Sequence, residues 1–246
     1  MDYWLGKLYI YRFLDDFVLI YPTYVLLFKS SGLDPRHITW LLMIWSATSL
    51  LLEIPTGVLA DKYDRRWLLA GAELIRILGY GFWLVWRSFG GFALGFVLWG
   101  TKGALTSGTL DAFLYDELKN HKRESEYEKV NGRLAASGYA GVALALALGG
   151  YVSSISYELS LILSMMAVLL AAFLMMTIHP AKPREMVEKE KSLEVVIRAW
   201  KQIKSKKMLG MIIAYTAVVL GIFGSIDEIY PLLFEGLGLG LCLVLN

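Results

Sequence analysis

Ionisable side chains interrupt several of the most apolar stretches of this 246-residue sequence. If such a stretch lies in lipid, an unpaired charge at its centre costs at least about 2.5–3.5 kcal/mol. Residues of this kind are therefore candidates for binding a solute or moving a proton. The candidates for this substrate or proton pathway are Arg12, Asp15, Asp16, Glu53, Lys102 and Asp111.

The first candidates are an arginine followed by two adjacent aspartates. Arg12 precedes Asp15 and Asp16 by three and four residues, the spacings at which helical side chains meet. One carboxylate is expected to pair with Arg12. Because successive helical residues point about 100° apart, the other is expected to face elsewhere, and a central cavity would make it a proton or cation site.

Lys102 lies among glycines and has no local carboxylate partner. It needs a carboxylate from another helix or an anionic substrate, and Glu53 and Asp111 are available. We predict a Lys102–carboxylate pair that faces a cavity. Glu73 and Arg76, three residues apart, are expected to neutralise each other.

Four aromatic residues near these charges are further candidates for a cavity wall. Lipid-facing or interfacial positions explain most of them. The four are Tyr21, Tyr24, Trp45 and Trp99.

The composition indicates that the elements carrying these side chains lie in a membrane. Hydrophobic residues make up 57% of the chain and charged residues 19%, against about 45–50% and 25% in ordinary globular proteins. A small soluble core cannot bury that much apolar surface, so the expected partner is a lipid bilayer. The net charge of +2 gives no basis for nucleic-acid binding.

The motifs of enzymes, cofactor sites and metal sites are not found. Cys242 is the single cysteine, and the three histidines have no ligand spacing. Neither the H-E-x-x-H nor the G-x-S-x-G pattern occurs. We therefore expect neither an enzyme nor a cofactor nor a metal.

Seven stretches have the length of about 20 apolar residues that a helix needs to cross a bilayer. A cleaved signal peptide is the alternative for the first, but it is too long and no small-residue cleavage site follows it. The spans are expected at residues 8–28, 38–60, 67–86, 91–115, 132–153, 157–178 and 208–234.

Lysine and arginine predict the orientation of these spans. Eighteen of the 24 fall on one set of alternate connectors and three on the other. Because basic connectors stay on the cytosolic side, the N-terminus is expected to be cytosolic in the cell membrane.

The longest connector predicts an amphipathic helix on the inner membrane face, with a solvated charged linker as the alternative. Its apolar residues recur at helical spacing from Leu193 to Ile203. The expected units are a six-helix bundle at 1–178, a cytosolic linker at 179–207, the first helix of an incomplete second bundle at 208–235 and an irregular tail at 236–246.

A motif of small and charged residues joins the second and third spans, E-I-P-T-G-V-L-A-D-K-Y-D-R-R from Glu53 to Arg66. Gly57 is expected to let another helix approach closely. Asp61 and Asp64 are expected to cap the start of the third helix. The basic residues of the loop, which hold it in the cytosol, are Lys62, Arg65 and Arg66.

The spacing G-x-L-A-D-K-x-x-R-R resembles the signature loop of the major facilitator superfamily of secondary transporters. The segment S-G-T-L-D-A-F-L-Y-D, from Ser107 to Asp116, resembles the inner end of the fourth helix in one branch of that family. The resemblance implies an all-α membrane protein: the six-helix N-terminal bundle of the major facilitator fold, here followed by a seventh transmembrane helix.

The resemblance also implies a latch for the outward-open state. In the family, the loop aspartate and arginine form a charge cluster with an acidic residue that ends the fourth helix. Here these are Asp61, either Arg65 or Arg66, and Asp116. The family glycine three residues past the aspartate is Asp64 here, so the choice of arginine stays open. The proline of the fifth-helix drug-antiporter motif is absent, which disfavours drug/proton antiport.

The expected function is transport of a small solute by alternating access, coupled to protons. The seventh span echoes the first, since I-Y-P occurs at Ile20 and again at Ile229. A low-complexity tail follows, so we expect a truncated carrier that lacks its C-terminal half or replaces it by forming a homodimer. The alternative is a non-transporting seven-helix membrane protein, a receptor or a scaffold.

Overall fold

Helices account for the secondary structure of the part of the chain described by the computed structural model, which comprises residues 3–178 with Met208, Met211 and Tyr215. The helices are α1 (Tyr3–Asp16), α2 (Tyr24–Ser30), α3 (Pro35–Lys62), α4 (Arg65–Val85), α5 (Phe89–Thr106), α6 (Thr109–Asn120), α7 (Tyr127–Ile155) and α8 (Tyr157–Thr177), with a 3₁₀ turn at Glu124–Glu126. The predicted all-α fold class is confirmed.

Four of these helices are long and apolar enough to cross a membrane: α3, α4, α7 with its preceding 3₁₀ turn, and α8. They correspond to the second, third, fifth and sixth predicted spans. The predicted connector between the fourth and fifth spans is largely helical, because α6 continues to Asn120 and α7 begins at Tyr127.

The first predicted span is wrong as one continuous helix. Helix α1 ends at Asp16, and residues 17–23 form turns before α2. Pro22 lies in this break, where its ring and missing N–H oppose helix continuation. Polar neighbours compensate: the Ile20 amide donates to Ser164 Oγ at 3.2 Å, and the hydroxyls of Thr23 and Ser153 lie 2.7 Å apart. Irregular backbone is tolerated at membrane depth when protein surrounds it in this way.

The fourth predicted span is also divided, into α5 and α6. Gly108 separates them with a φ of +66°, a left-handed conformation that glycine adopts without a Cβ penalty. Because of this break, the residues of the S-G-T-L-D segment do not continue α5.

Aspartates begin two of the long helices. The Asp34 carboxylate accepts the backbone N–H of His37 at 2.9 Å, and this hydrogen bond lowers the pKa of Asp34. Asp64 accepts the N–H of Arg66 at 2.9 Å at the start of α4, as predicted. The same prediction is wrong for Asp61, which lies in the last turn of α3.

The helices pack as a bundle in which α1 contacts α7 and α8, α4 contacts α5 and α8, and α3 contacts α5. One apolar core gathers around Phe28, Trp83 and Phe92, and a second around Leu8, Leu69 and Leu114. The buried charges described below lie where α1, α4 and α5 meet.

Glycines set the closest helix contacts, but Gly57 is not among them. A Cβ at Gly57 would meet no described atom within 4 Å, so no helix among the described residues is the partner expected for it. A Cβ at Gly100 would instead lie 2.8 Å from the carbonyl oxygen of Trp45, and one at Gly141 would overlap the carbonyl oxygen of Phe13. These two glycines let α5 approach α3 and α7 approach α1.

Several predictions lie outside the described residues. They are the amphipathic helix of the 179–207 linker, the span at 208–234 except for Met208, Met211 and Tyr215, the repeat at Ile229 and the tail at 236–246.

Candidate functional site

The carboxylate of Asp15 is the centre of a buried charge cluster. Asp15 Oδ1 accepts from Arg76 Nη2 and from Lys102 Nζ, each at 2.7 Å. Its other oxygen accepts from Arg12 Nη1 at 3.1 Å. Only 1% of Asp15 is exposed, so three cations from three helices replace the water that this carboxylate would otherwise bind.

Glu73 is the second buried carboxylate of the cluster. Arg76 Nη2 donates to Glu73 Oε2 at 2.6 Å, which confirms that these neighbours on α4 pair. Tyr11 OH donates to Glu73 Oε1 at 3.1 Å, and Lys102 Nζ lies 3.7 Å from the same oxygen. Because Arg76 contacts both Asp15 and Glu73, the two carboxylates belong to one network.

Asp16 is held differently from its neighbour. Arg12 Nη2 lies 2.9 Å from Asp16 Oδ2. In the described part of the chain this is its one ion pair, and 23% of its side chain is exposed. The prediction that a single carboxylate pairs with Arg12 is therefore wrong, since Arg12 contacts both. The buried charge cluster comprises Arg12, Asp15, Asp16, Glu73, Arg76 and Lys102, three cations and three carboxylates.

Lys102 has the predicted carboxylate partner on another helix, but neither suggested partner supplies it. Asp15 and Glu73 approach its ammonium group instead. Glu53 is exposed and accepts a hydrogen bond from Ser107 Oγ at 2.7 Å. Asp111 lies in the first turn of α6, beyond the break at Gly108.

The cluster forms the polar end of a cavity of about 290 Å³. Aromatic rings make up much of the remaining wall. The lining residues are Asp15, Asp16, Val18, Tyr21, Tyr24, Trp45, Arg76, Phe96, Trp99, Lys102, Val142 and Ala145. The four aromatic residues for which lipid-facing or interfacial positions were favoured all line this cavity.

Trp99 joins these rings into one surface. Its ring stacks on Phe96 with the centroids 5.9 Å apart and the planes 9° apart. Tyr21, Tyr24 and Trp45 contact Trp99 with centroid distances of 6.1–6.4 Å. We call the five residues the aromatic wall. Such a surface accepts flat apolar groups through stacking and edge contacts.

A second cavity, which we call the vestibule, has a volume of about 440 Å³ and is mostly polar. Its lining includes Arg12, Thr106, Ser107, Asp111 and Asn131. Arg12 lines this vestibule, whereas its partners Asp15 and Asp16 line the aromatic cavity. The ion pairs of Arg12 therefore connect the linings of the two cavities.

The loop between α3 and α4 contacts α6 and the end of α8. Arg65 pairs with Asp116 and donates to the Ala112 carbonyl at 3.1 Å. Arg66 donates to the Ile178 carbonyl at 2.9 Å and lies 3.6 Å from Asp64. The sequence left open which of the two arginines contacts Asp116. In the structure it is Arg65. Asp61 and Lys62 lie beside this loop at the end of α3.

Sequence reasoning missed two parts of this site. It treated Glu73 and Arg76 as a self-contained pair, although Arg76 also bonds Asp15 across the helix interface. It also omitted Phe96 from the wall. The sequence did contain a signal for the contact between Arg76 and Asp15. Two opposite charges in an apolar span can each bind a further partner on another helix. Within residues 3–178, no group of three or more metal-ligating side chains is placed to hold a metal ion.

Comparison with known proteins identifies the family. No curated protein gives a significant match to the chain. A family model described as the Major Facilitator Superfamily matches residues 9–245. With the apolar helices, this match shows that the chain belongs to the major facilitator superfamily and is a multi-pass membrane transport protein.

Proposed function

We propose that this protein moves a small solute across the cell membrane by alternating access and couples that movement to protons. Membership of the superfamily supports transport. The observation that carries the proposal is that four members of the buried charge cluster line the aromatic cavity. A solute in the cavity contacts the carboxylates whose charge a proton would change.

Asp16 is the carboxylate that we assign to the coupling proton. Asp15 is surrounded by three cations and 1% exposed, so removing its charge would leave them without a shared acceptor. Asp16 contacts Arg12 and lines the cavity, where a proton can reach it. A proton on Asp16 removes one of the two ion pairs of Arg12, which weakens the contact between the linings of the cavity and the vestibule.

We further propose that Arg65 and Asp116 latch one of the two access states, with Asp61 and Lys62 completing the loop. The pair joins the start of α4 to α6 at the rim of the core that these two helices share. In this arrangement the N-terminus and the α3–α4 loop are cytosolic, which agrees with the basic residues of the loop.

Proteoliposomes containing the full chain test the coupling. We expect uptake of a radiolabelled solute above its equilibrium level under an imposed pH gradient, and loss of this accumulation when a protonophore collapses the gradient. Asp16→Asn is expected to keep solute exchange between the two sides and to lose accumulation. Asp34→Asn, which neutralises an exposed carboxylate and keeps a helix-capping side chain, is the matched control. Accumulation that persists without the gradient contradicts proton coupling.

A further inference from the structure

The residues that line the aromatic cavity also indicate the chemical class of its solute. The charged residues that line it are two carboxylates, Asp15 and Asp16, and two cations, Arg76 and Lys102. Behind them, Arg12 and Glu73 add one charge of each sign. Among the residues that the structure describes, the polar end of the cavity is therefore electrically balanced.

This balance disfavours a solute with a net charge. An unpaired charge beside buried ion pairs costs several kcal/mol unless an opposite charge compensates it. Each cation of the cluster already shares a carboxylate, and each carboxylate already accepts from a cation. A charged solute would have to break one of these pairs, whereas a solute of zero net charge would not.

Two buried donors favour a solute with acceptor atoms. Arg76 and Trp45 both line the cavity, and the Nε of Arg76 and the Nε1 of Trp45 have no hydrogen-bond partner among the described residues. A buried donor left without a partner costs about 1–3 kcal/mol. A carbonyl or carboxylate oxygen of a solute would recover part of that cost after a small rearrangement of these side chains. A cationic group has no acceptor to offer them.

The remaining wall selects for a flat ring. The aromatic wall around Trp99 presents ring faces and edges, and its cavity of about 290 Å³ is near the lower limit of ligand pockets. A molecule of one or two rings with a short polar arm fits this volume. The polar arm would face the cluster while the ring contacts Trp99.

From these observations we infer that the solute is a small aromatic molecule of zero net charge, neutral or zwitterionic, that carries acceptor oxygens. The inference rests on the proposed transport function, because it takes the aromatic cavity as the solute site. It concerns binding, however, and binding can be measured whether or not the protein transports the molecule.

The inference is tested with four compounds that share the indole ring system and differ in charge. They are neutral indole-3-acetamide, zwitterionic tryptophan, cationic tryptamine and anionic indole-3-acetate. Their binding to the full chain in nanodiscs is measured by equilibrium dialysis of radiolabelled compounds, with empty nanodiscs to subtract partition into lipid. We expect the acetamide or tryptophan to bind about tenfold or more tightly than both ions. An ion would have to break one charged hydrogen bond of the cluster, and the loss of one such bond lowers the affinity by about that factor. Stronger binding of either ion, or binding of none of the four, overturns the inference.

Two substitutions of opposite sign make the charge argument specific. Lys102→Gln gives the cavity a net negative charge, so tryptamine is expected to gain on the acetamide. Asp16→Asn gives it a net positive charge, so indole-3-acetate is expected to gain. Arg36→Gln removes a charge from an exposed residue at the start of α3 and is expected to leave the order unchanged. An unchanged order in both cavity variants also overturns the inference.

Transport measurements distinguish a failure of the inferred solute class from a failure of the proposed transport function. If the neutral indoles bind and are not moved across proteoliposome membranes, the solute class stands and the transport proposal fails for them. If the protein instead accumulates a charged solute and leaves the neutral ones, transport stands and the solute class is wrong.

Discussion

Adjacent residues Asp15 and Asp16 have the same chemistry and different environments. The backbone turns by about 100° between them, which directs Asp15 to Arg76 and Lys102 and leaves Asp16 with Arg12 beside the cavity. At the residue scale, this rotation separates a carboxylate with three cationic partners from the one to which we assign the coupling proton.

We predict that Asp15→Asn destabilises the protein far more than Asp16→Asn. Breaking a buried ion pair from one side costs about 3–5 kcal/mol because uncompensated charge remains, and Asp15 compensates three cations. After Asp16→Asn, Arg12 still has Asp15. Thermal unfolding of the purified protein in detergent measures both variants. Equal losses would show that the two carboxylates share the structural role.

At the scale of elements, α7 approaches α1 along a face of glycines. A Cβ at Gly138 would overlap Asp16 and Arg12, and one at Gly149 would overlap the Leu19 carbonyl. The glycines therefore make room for the Arg12–Asp16 pair and for the broken backbone after α1.

Gly141→Ala is predicted to destabilise the α1–α7 contact. The new methyl group would overlap the Phe13 carbonyl, and such overpacking costs about 1–3 kcal/mol. Gly132→Ala is the matched control on the same helix, because its Cβ would meet nothing within 4 Å and alanine favours helix by up to about 1 kcal/mol. Opposite shifts of the unfolding midpoint are expected. A loss of stability in both variants would contradict the packing argument.

The latch is a second prediction at the element scale. Arg65→Asp places like charges against Asp116 and is expected to reduce solute transport in proteoliposomes. Asp116→Arg alone is expected to do the same, and the double variant to recover part of the activity because it restores the pair with the charges exchanged. Recovery in the double variant distinguishes a charge contact from a general folding defect. If Arg66→Asp is the variant that Asp116→Arg rescues, the assignment of Arg65 is wrong.

For the whole molecule, the predicted topology places the α3–α4 loop and the start of α3 on opposite sides of the membrane. In a Cys242→Ser background, Lys62→Cys is expected to react with a membrane-impermeant maleimide only after cells are permeabilised. Arg36→Cys is expected to react in intact cells. Both residues are exposed in the structure. A cysteine that fails to react in intact cells is therefore shielded from the reagent by the membrane and not buried in the protein. The reverse pattern would overturn the cytosolic assignment of the N-terminus.

Much of this protein is determined by local sequence. Hydropathy over about 20 residues predicts four of the membrane helices because a bilayer has a fixed thickness. The Asp64 cap follows from its position before an apolar run, and the Glu73–Arg76 pair from its spacing of three. The G-x-L-A-D-K-x-x-R-R motif is also local, because all of its residues lie between Gly57 and Arg66, and it therefore indicates the family from the sequence alone.

The tertiary structure decided what no local pattern contains. Lys102 pairs with Asp15 and Glu73 rather than with Glu53 or Asp111, because the breaks at Pro22 and Gly108 and the rotation of each helix set which side chains face the same space. Arg65 rather than Arg66 reaches Asp116 for the same reason. The aromatic residues form a cavity wall only because α2, α3, α5 and the turn before α2 bring them around Trp99. A helix fixes its own faces through its period, whereas the partner of each face depends on packing between segments far apart in the chain.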